Sequence, residues 1–320
     1  MNFCTHFDSN YLPHAISLAK SLNNCLKEFK LFMMCMDDLS FTYFKLNPIK
    51  NTIPIHYSKM ESYFPEILLA KQNRNRTEYF FTCSPVVCNY IIKTNLNLKS
   101  ITYLDADLYF FSSPKIIFDE IEKKSIAIIE HRFNWITKRQ IKYGKFNVGW
   151  ITFKNNNEGL DCIKEWMAEC LNWCYQKVEK NRFGDQKYLD NWPSRFNNLH
   201  IIKAKGANVA IWNIGNYRLS KIKNQIFVDD EKLIFYHFAS FNQIKLNCFK
   251  SNLSRVFIRL KGVVKNDIYL PYAREIANNN VLNKKIKSKK DNHLAFGLKS
   301  QLIVSYRSIM NLLFKDDFCL

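Results

Sequence analysis

Two aspartates separated by one residue, Asp105-Ala-Asp107, follow the apolar run Ile101-Thr-Tyr-Leu104 and precede Phe110-Phe-Ser-Ser-Pro114. Adjacent anions at the end of a buried strand are costly unless a cation or donors balance them, and hard divalent cations prefer such oxygen ligands. The pair therefore fits a metal that bridges to a diphosphate. An Asp-x-Asp triplet alone also suits a solvated turn; the apolar strand before it and the Phe-Phe-Ser-Ser-Pro after it favour the metal.

Three other places put polar groups at the ends of apolar runs: Thr5-His-Phe-Asp8, Met36-Asp37-Asp38, and Asn147-Val-Gly149, which opens a run to Phe153. In open α/β sheets the ligand crevice lies outside the carboxyl ends of the strands, so these are the positions where binding groups belong.

The elements that must hold these groups read as short apolar strands alternating with longer helical stretches, the pattern of parallel strands joined by crossover helices. Strands are expected at Phe3–Thr5, Leu31–Met36, Ile53–His56, Ile101–Leu104, Ser125–Ile129 and Val148–Phe153. A helix from about Tyr11 to Leu22 places Leu12, Ala15, Ile16, Ala19 and Leu22 on one face, and another from Leu160 to Lys177 does the same through Ile163, Trp166, Met167, Cys170 and Leu171. The composition shifts near residue 241, where aromatic-rich sequence gives way to Lys- and Asn-rich sequence. We therefore expect a catalytic domain over 1–240 and a basic, largely helical extension over 241–320.

With 320 residues, 47% hydrophobic and 23% charged, the chain can build a packed core, which excludes a largely disordered protein. The net charge of +19 implies anionic partners but does not choose among nucleotides, anionic lipid and nucleic acid. Of that excess, +10 falls in residues 241–320, with 15 basic and 5 acidic residues.

At this point the sequence resembles the nucleotide-sugar glycosyltransferases of the GT-A fold, and in particular bacterial enzymes similar to the glycogenin and lipopolysaccharide galactosyltransferase group. The likeness spans residues 2–240 in five motifs that occur in the expected order: the loop Phe3-Cys-Thr-His-Phe-Asp-Ser-Asn-Tyr-Leu-Pro13, Asp105 with Asp107, Phe146-Asn-Val-Gly149, Gly184-Asp-Gln186 and Tyr236-His-Phe-Ala239. It implies an α/β, Rossmann-like nucleotide-diphospho-sugar transferase fold. It also implies transfer of a sugar from a nucleotide-diphosphate donor to a glycan or lipid-linked acceptor, in surface polysaccharide or lipopolysaccharide synthesis, and it suggests retention of the anomeric configuration, with inversion left open.

By the same resemblance, Asp105, Asp107 and His237 would ligate Mn2+ or Mg2+ between the phosphates, His plus carboxylate oxygens suiting manganese. Thr5, Asp8 and Tyr11 would face base and ribose, although Asp8-Ser-Asn could equally cap the helix near Tyr11. Arg74 and Arg76 could reach the diphosphate or lie in a solvated loop. Asn147 would bind donor sugar or acceptor, with Gly149 allowing close approach of the ligand. Asp185 would position the sugar, or serve as a base if the enzyme inverts, and Gln186 would stand beside the anomeric carbon on the face opposite the leaving group; a helix cap is the alternative for Asp185. The loop Gly206–Asn213 is a further candidate, with Trp212 either binding or core. The family's Lys-Pro-Trp segment after the late His is absent, Ser240-Phe-Asn-Gln standing there instead.

The ten cysteines show no CxxC pair and no regular disulfide spacing, so reduced, mostly buried thiols are expected, with Cys170 and Cys174 as packing residues rather than zinc ligands. The start of the chain lacks a basic segment leading into an apolar run, consistent with a cytoplasmic protein. The basic run Lys284–Lys290 beside an apolar stripe from Leu294 to Leu313 fits either an anionic membrane surface, peripheral on the inner face of the cytoplasmic membrane, or a helix packed on the core. A nucleic-acid binder is disfavoured because the aromatics lie inside apolar runs rather than interleaved with Lys and Arg. A metal-dependent nucleotidyltransferase or phosphohydrolase would share the Asp-x-Asp chemistry.

Overall fold

In the computed structural model, which describes residues 1–280, 310 and 313–320, the chain runs through β1 Asn2–Phe7, β2 Lys30–Cys35, β3 Thr52–His56, β4 Ser100–Leu104, β5 Leu108–Phe110, β6 Ile126–Glu130, β7 Phe146–Lys154 and β8 Leu199–Ile202. It continues through β9 Val209–Ala210, β10 Leu219–Ile222, β11 Gln225–Val228, β12 Glu231–Lys232, β13 Phe235–His237, β14 Asn242–Lys245, β15 Cys248–Lys250 and β16 Asp317–Cys319. A seven-stranded sheet in the order β3-β2-β1-β4-β7-β6-β8 forms the centre.

The half from β3 to β4 is parallel, as the sequence pattern predicts. The expectation of parallel strands throughout needs one correction: β7 runs antiparallel to both β4 and β6. Between β6 and β7 the chain carries only a 3-10 turn, Lys138–Tyr143, and such a return joins antiparallel neighbours without a crossover helix. All of β7 except Lys154 is buried, so it reads as a continuous apolar run rather than an alternating one.

The Leu12–Cys25 helix buries Leu12, Ala15, Ile16, Ala19 and Leu22, the face expected, against one side of the sheet. On the other side lie the Arg76–Thr94 and Asn157–Asn172 helices. Asn75 and Glu78 start the first of these with a reciprocal capping box, and Asn156 caps the second through the Gly159 amide. These caps fix where Ser84 and Trp166 stand, which matters for the site.

A third apolar cluster surrounds β9, β13 and β15 and the Leu270–Asn278 helix, and it draws on residues from both sides of position 240. Phe238 stacks on Tyr272 with ring centroids 3.6 Å apart, and Tyr272 Oη bonds to His14 Nδ1 at 2.6 Å, tying this helix to the first one. In a smaller sheet β13 lies between β5 and β9.

The cysteine expectation is corrected here. Cys248 and Cys319 are directly opposite each other on β15 and β16 and form a disulfide. Spacing could not reveal it, because the partners lie 71 residues apart and meet only through strand pairing. The other eight cysteines are free, seven of them buried. No helix among the described residues is long and apolar enough to cross a membrane. The Lys284–Lys290 run and the Leu294–Leu313 stripe, apart from Met310 and Leu313, lie outside the described residues.

Candidate active site

The turn after β4 and the strand β13 bring the key groups together. Because β13 pairs with β5 in the register His237↔Leu108, the imidazole arrives beside the residue that follows Asp107. His237 Nε2 lies 3.1 Å from Asp107 Oδ1 and 3.6 Å from Asp105 Oδ2. One ligand atom from each of the three falls within 4.8 Å of the others.

Asn147 orients this imidazole. Its Oδ1 accepts from the Gly149 amide at 3.1 Å, which fixes the oxygen end, and the same oxygen lies 3.2 Å from His237 Nδ1. Nδ1 must therefore carry the proton, and in the neutral ring Nε2 is left with a lone pair toward the carboxylates. This is the arrangement in which a histidine serves as a metal ligand held from behind. Two carboxylate oxygens and an imidazole nitrogen fit Mn2+ or Mg2+ as a donor set.

The charges behave as a cation-seeking cluster. Burial pushes the Asp105 carboxyl up to about 6, with Asp107 adding to the rise and His237 and the Tyr103 hydroxyl opposing it. Burial acts on Asp107 in the same sense, but the attraction and hydrogen bond of His237 win and hold it below its ordinary value. Burial lowers His237, yet the two aspartates outweigh it and the ring is raised.

Gly149 plays a different part from the one expected. A Cβ there would meet Asn147 Oδ1 at 2.5 Å and the His237 ring at 2.9 Å, so the missing side chain makes room for the imidazole rather than for a ligand. Gly149→Ala should accordingly lower Mn2+ affinity by about 10–100-fold, the scale of disturbing a group that orients a ligand, with little change in the circular dichroism spectrum. Unaltered affinity in a manganese titration would show that His237 needs no such support.

Asp185 is buried nearby, within electrostatic reach of Asp105. Ser84 Oγ donates to its Oδ2 at 2.7 Å, and Trp166 Nε1 donates to its backbone oxygen at 2.8 Å. The carboxylate is thus not a helix cap: the following 3-10 turn, Lys187–Asn191, has no side-chain cap. Burial raises Asp185 to about 7, Asp105 adding to the rise and Ser84 opposing it. Gln186 accepts from Asn147 Nδ2 at 3.4 Å and donates to the Tyr143 carbonyl at 3.0 Å.

Tyr11, expected to face the base and ribose, is half exposed at the start of the first helix. Its hydroxyl is raised to about 12, by desolvation first and then by the charges of Asp107 and Asp105. Asp8 does not cap that helix; its carboxylate accepts from the Asn10 amide at 2.8 Å and pairs with Arg76. Thr5 is buried in β1, and its hydroxyl has no hydrogen-bond partner among the described residues.

Arg74 requires a correction. Its buried guanidinium donates to the Cys170 and Leu171 carbonyls at 2.6 Å and to the Thr82 hydroxyl, closing the end of the Asn157–Asn172 helix. The cation that reaches the first loop is Arg76, two residues on.

A cavity of about 470 Å³ opens beside His237, Asn147 and Gln186. Its walls include Phe133, Tyr143, Phe183 and Trp212, aromatic faces of the kind that stack on sugar rings. Trp212 meets both His237 and His131 edge to face at 5.0 Å, so the Gly206–Asn213 loop does contribute to the pocket. Asn213 shapes that loop by donating to the His131 and Asn208 carbonyls at 2.8 Å. His131 was missed in the sequence, although it directly follows β6, where the strand-end rule points. Its ring stacks on Phe133 at 4.5 Å, its Nε2 lies 3.3 Å from Asn147 Nδ2, and burial holds it down to about 3, neutral and accepting.

The parallel β3-β2-β1-β4 half, the antiparallel β7 and a carboxylate pair at the β4 end met by a histidine from β13 form the mixed, Rossmann-like α/β fold that the GT-A resemblance implies. The chain belongs to the family of YfnD and YfnF, two uncharacterized proteins of Bacillus subtilis (strain 168). It is 30% identical to YfnD over 278 residues, covering 85% of this chain and 87% of that protein, and 30% identical to YfnF over 254 residues, covering 77% and 83%. No protein-family model matches the chain. Among solved structures, the galactosyltransferase LgtC in complex with donor and acceptor sugar analogs is similar at 15% identity and a TM-score of 0.49, over 75% of this chain and 87% of that one. Mouse xyloside xylosyltransferase 1 is similar at 12% identity and a TM-score of 0.48, over 75% and 98%.

Proposed function

We propose that the protein is a metal-dependent glycosyltransferase that moves a sugar from a nucleotide-diphosphate donor to a glycan or lipid-linked acceptor. The observation that carries this reading is the meeting of Asp105, Asp107 and His237, whose imidazole lines an aromatic-walled cavity together with Gln186, while Asp185 is buried within electrostatic reach of Asp105. Asp105, Asp107 and His237 would hold Mn2+ or Mg2+, which when bound supplies Lewis-acid stabilisation of the departing diphosphate. Asn147 keeps His237 turned toward the carboxylates, Tyr11 offers a ring to the base, and Asp185 holds a negative charge close to where the sugar would become electron-poor.

Retention of the anomeric configuration is part of the proposal, since Asp185 is fixed by Ser84 and Trp166 rather than free to activate an acceptor hydroxyl. The five motifs lie within 1–240, proposed as the catalytic part, and the following segment packs onto it through the third apolar cluster; a role in surface polysaccharide or lipopolysaccharide synthesis at an anionic membrane face rests on the resemblance and the basic tail.

A thermal-shift screen of nucleoside diphosphates with and without Mn2+ tests the reading directly. Stabilisation by one nucleoside diphosphate that depends on the metal is expected, followed by metal-dependent release of that diphosphate from its sugar conjugate. Release of nucleoside monophosphate and sugar phosphate instead would identify a phosphohydrolase.

A further inference from the structure

We infer that Arg255 is the diphosphate-binding cation of this site, a deeper reading that rests on the glycosyltransferase proposal. A divalent ion and two aspartates cancel in charge, so a donor's diphosphate would enter with its negative charge uncompensated, at a cost in a part-buried cavity. Among the described residues that line the cavity, Arg255 is the one permanently charged side chain. It shares a wall with His237, Ala239 and Ser240, the strand end that delivers a metal ligand. It is exposed, and no acidic partner holds it among the described residues. A guanidinium gives bidentate hydrogen bonds to phosphate oxygens, so its place suits the task.

The backbone around it is built for rigidity. Arg255 sits in a short 3-10 turn, Leu253–Val256, flanked by Asn252 and Phe257, both in the left-handed region at φ 60° and 56°. A bulky residue holds that conformation only where its surroundings impose it. They do so here: the buried Asp316 carboxylate accepts from Ser251 Oγ and from the Ser254 amide, each at 2.9 Å, and from Ser254 Oγ. Asn252 Nδ2 donates to the Ser240 carbonyl at 2.7 Å, locking the turn to the segment after His237. The turn therefore supplies a cation where the Ser240-Phe-Asn-Gln segment offers none.

The test is calorimetry with uridine, guanosine, adenosine and thymidine diphosphates in the presence of Mn2+, on the full chain and its Arg255→Ala and Arg255→Lys variants. Arg255→Ala should weaken the diphosphate that binds the unaltered chain by about 10–100-fold, the size of one lost charge-assisted contact, and raise the donor KM. Arg255→Lys should fall between. Mn2+ binding without nucleotide should not change. Equal diphosphate affinity in Arg255→Ala overturns the inference, and so does a rise confined to the acceptor KM, which would give the cation to an acidic acceptor. Failure of the unaltered chain to bind any nucleoside diphosphate would instead sink the glycosyltransferase reading itself.

Discussion

Replacing Asp107 with alanine should lower sugar transfer by at least ~10²-fold, the scale of losing one group that stabilises a developing anion. The loss follows from geometry: Asp107 Oδ1 is the carboxylate oxygen nearest His237 Nε2, so the variant keeps only one carboxylate and the imidazole. The fold should survive. The backbone of Asp107 still accepts from the Phe238 amide at 3.0 Å, and Asp105 Oδ2, 3.6 Å from His237 Nε2, stays to balance the imidazole. Initial rates and Mn2+-dependent nucleotide affinity should fall together while the thermal midpoint holds; unchanged turnover in a purified, folded variant would remove the metal-site assignment.

Asp185→Asn should separate catalysis from both binding and stability. Transfer should drop by about the same factor, with nucleoside diphosphate affinity changed only a few-fold, because a charge acting mainly in the transition state affects turnover more than ground-state binding. In the unaltered enzyme, transfer should fall about tenfold per pH unit below about 7, where Asp185 takes up its proton. Stability moves the other way. The folded-state value of about 7 lies above that of an unfolded aspartate, so as pH rises from about 4 to 7 the unfolded chain gives up its proton first and the folded state loses stability. Above 7 the full cost is present, up to about 4 kcal/mol. The amide carries no such cost and keeps an oxygen for Ser84. At pH 8, without metal, the variant should therefore melt several degrees above the unaltered protein, and at pH 4 with it. A variant less stable at pH 8 would show that the carboxylate is better solvated than its burial implies.

The parts of this site that the sequence made legible are those carried by local runs. Apolar stretches located β1, β2, β4 and β7 to within a few residues, and the rule that ligands gather at strand ends led to Asp105, Asp107 and Asn147. His237 and Asp185 came from the order of motifs, since neither has a neighbourhood that distinguishes it from a core histidine or a helix cap. What stayed hidden depends on which segments meet. The direction of β7 is set by its partners on both sides, and the Cys248–Cys319 link by the pairing of β15 with β16. Arg74 and Arg76 are two residues apart in one charged stretch, yet a helix start between them sends one to the Asn157–Asn172 helix and the other to Asp8. Gly149 looked like space for a ligand because the ring that fills the space arrives from β13.

The ladder between β5 and β13 has a consequence for how such a site can vary. Its register alone decides that the imidazole lands beside the carboxylates, because β5 begins one residue after Asp107 and His237 pairs with its first member. Side chains reverse face with each step along a strand, so a one-residue slip would turn the ring away whatever its identity. Exchanging His237 for another oxygen or nitrogen donor is then a gentler change than inserting or deleting a residue between Asp107 and Leu108. Lineages descended from this chain should accumulate substitutions at the ligands more readily than length changes in the segments between them and the ladder, and a library with random insertions should mark those segments as intolerant.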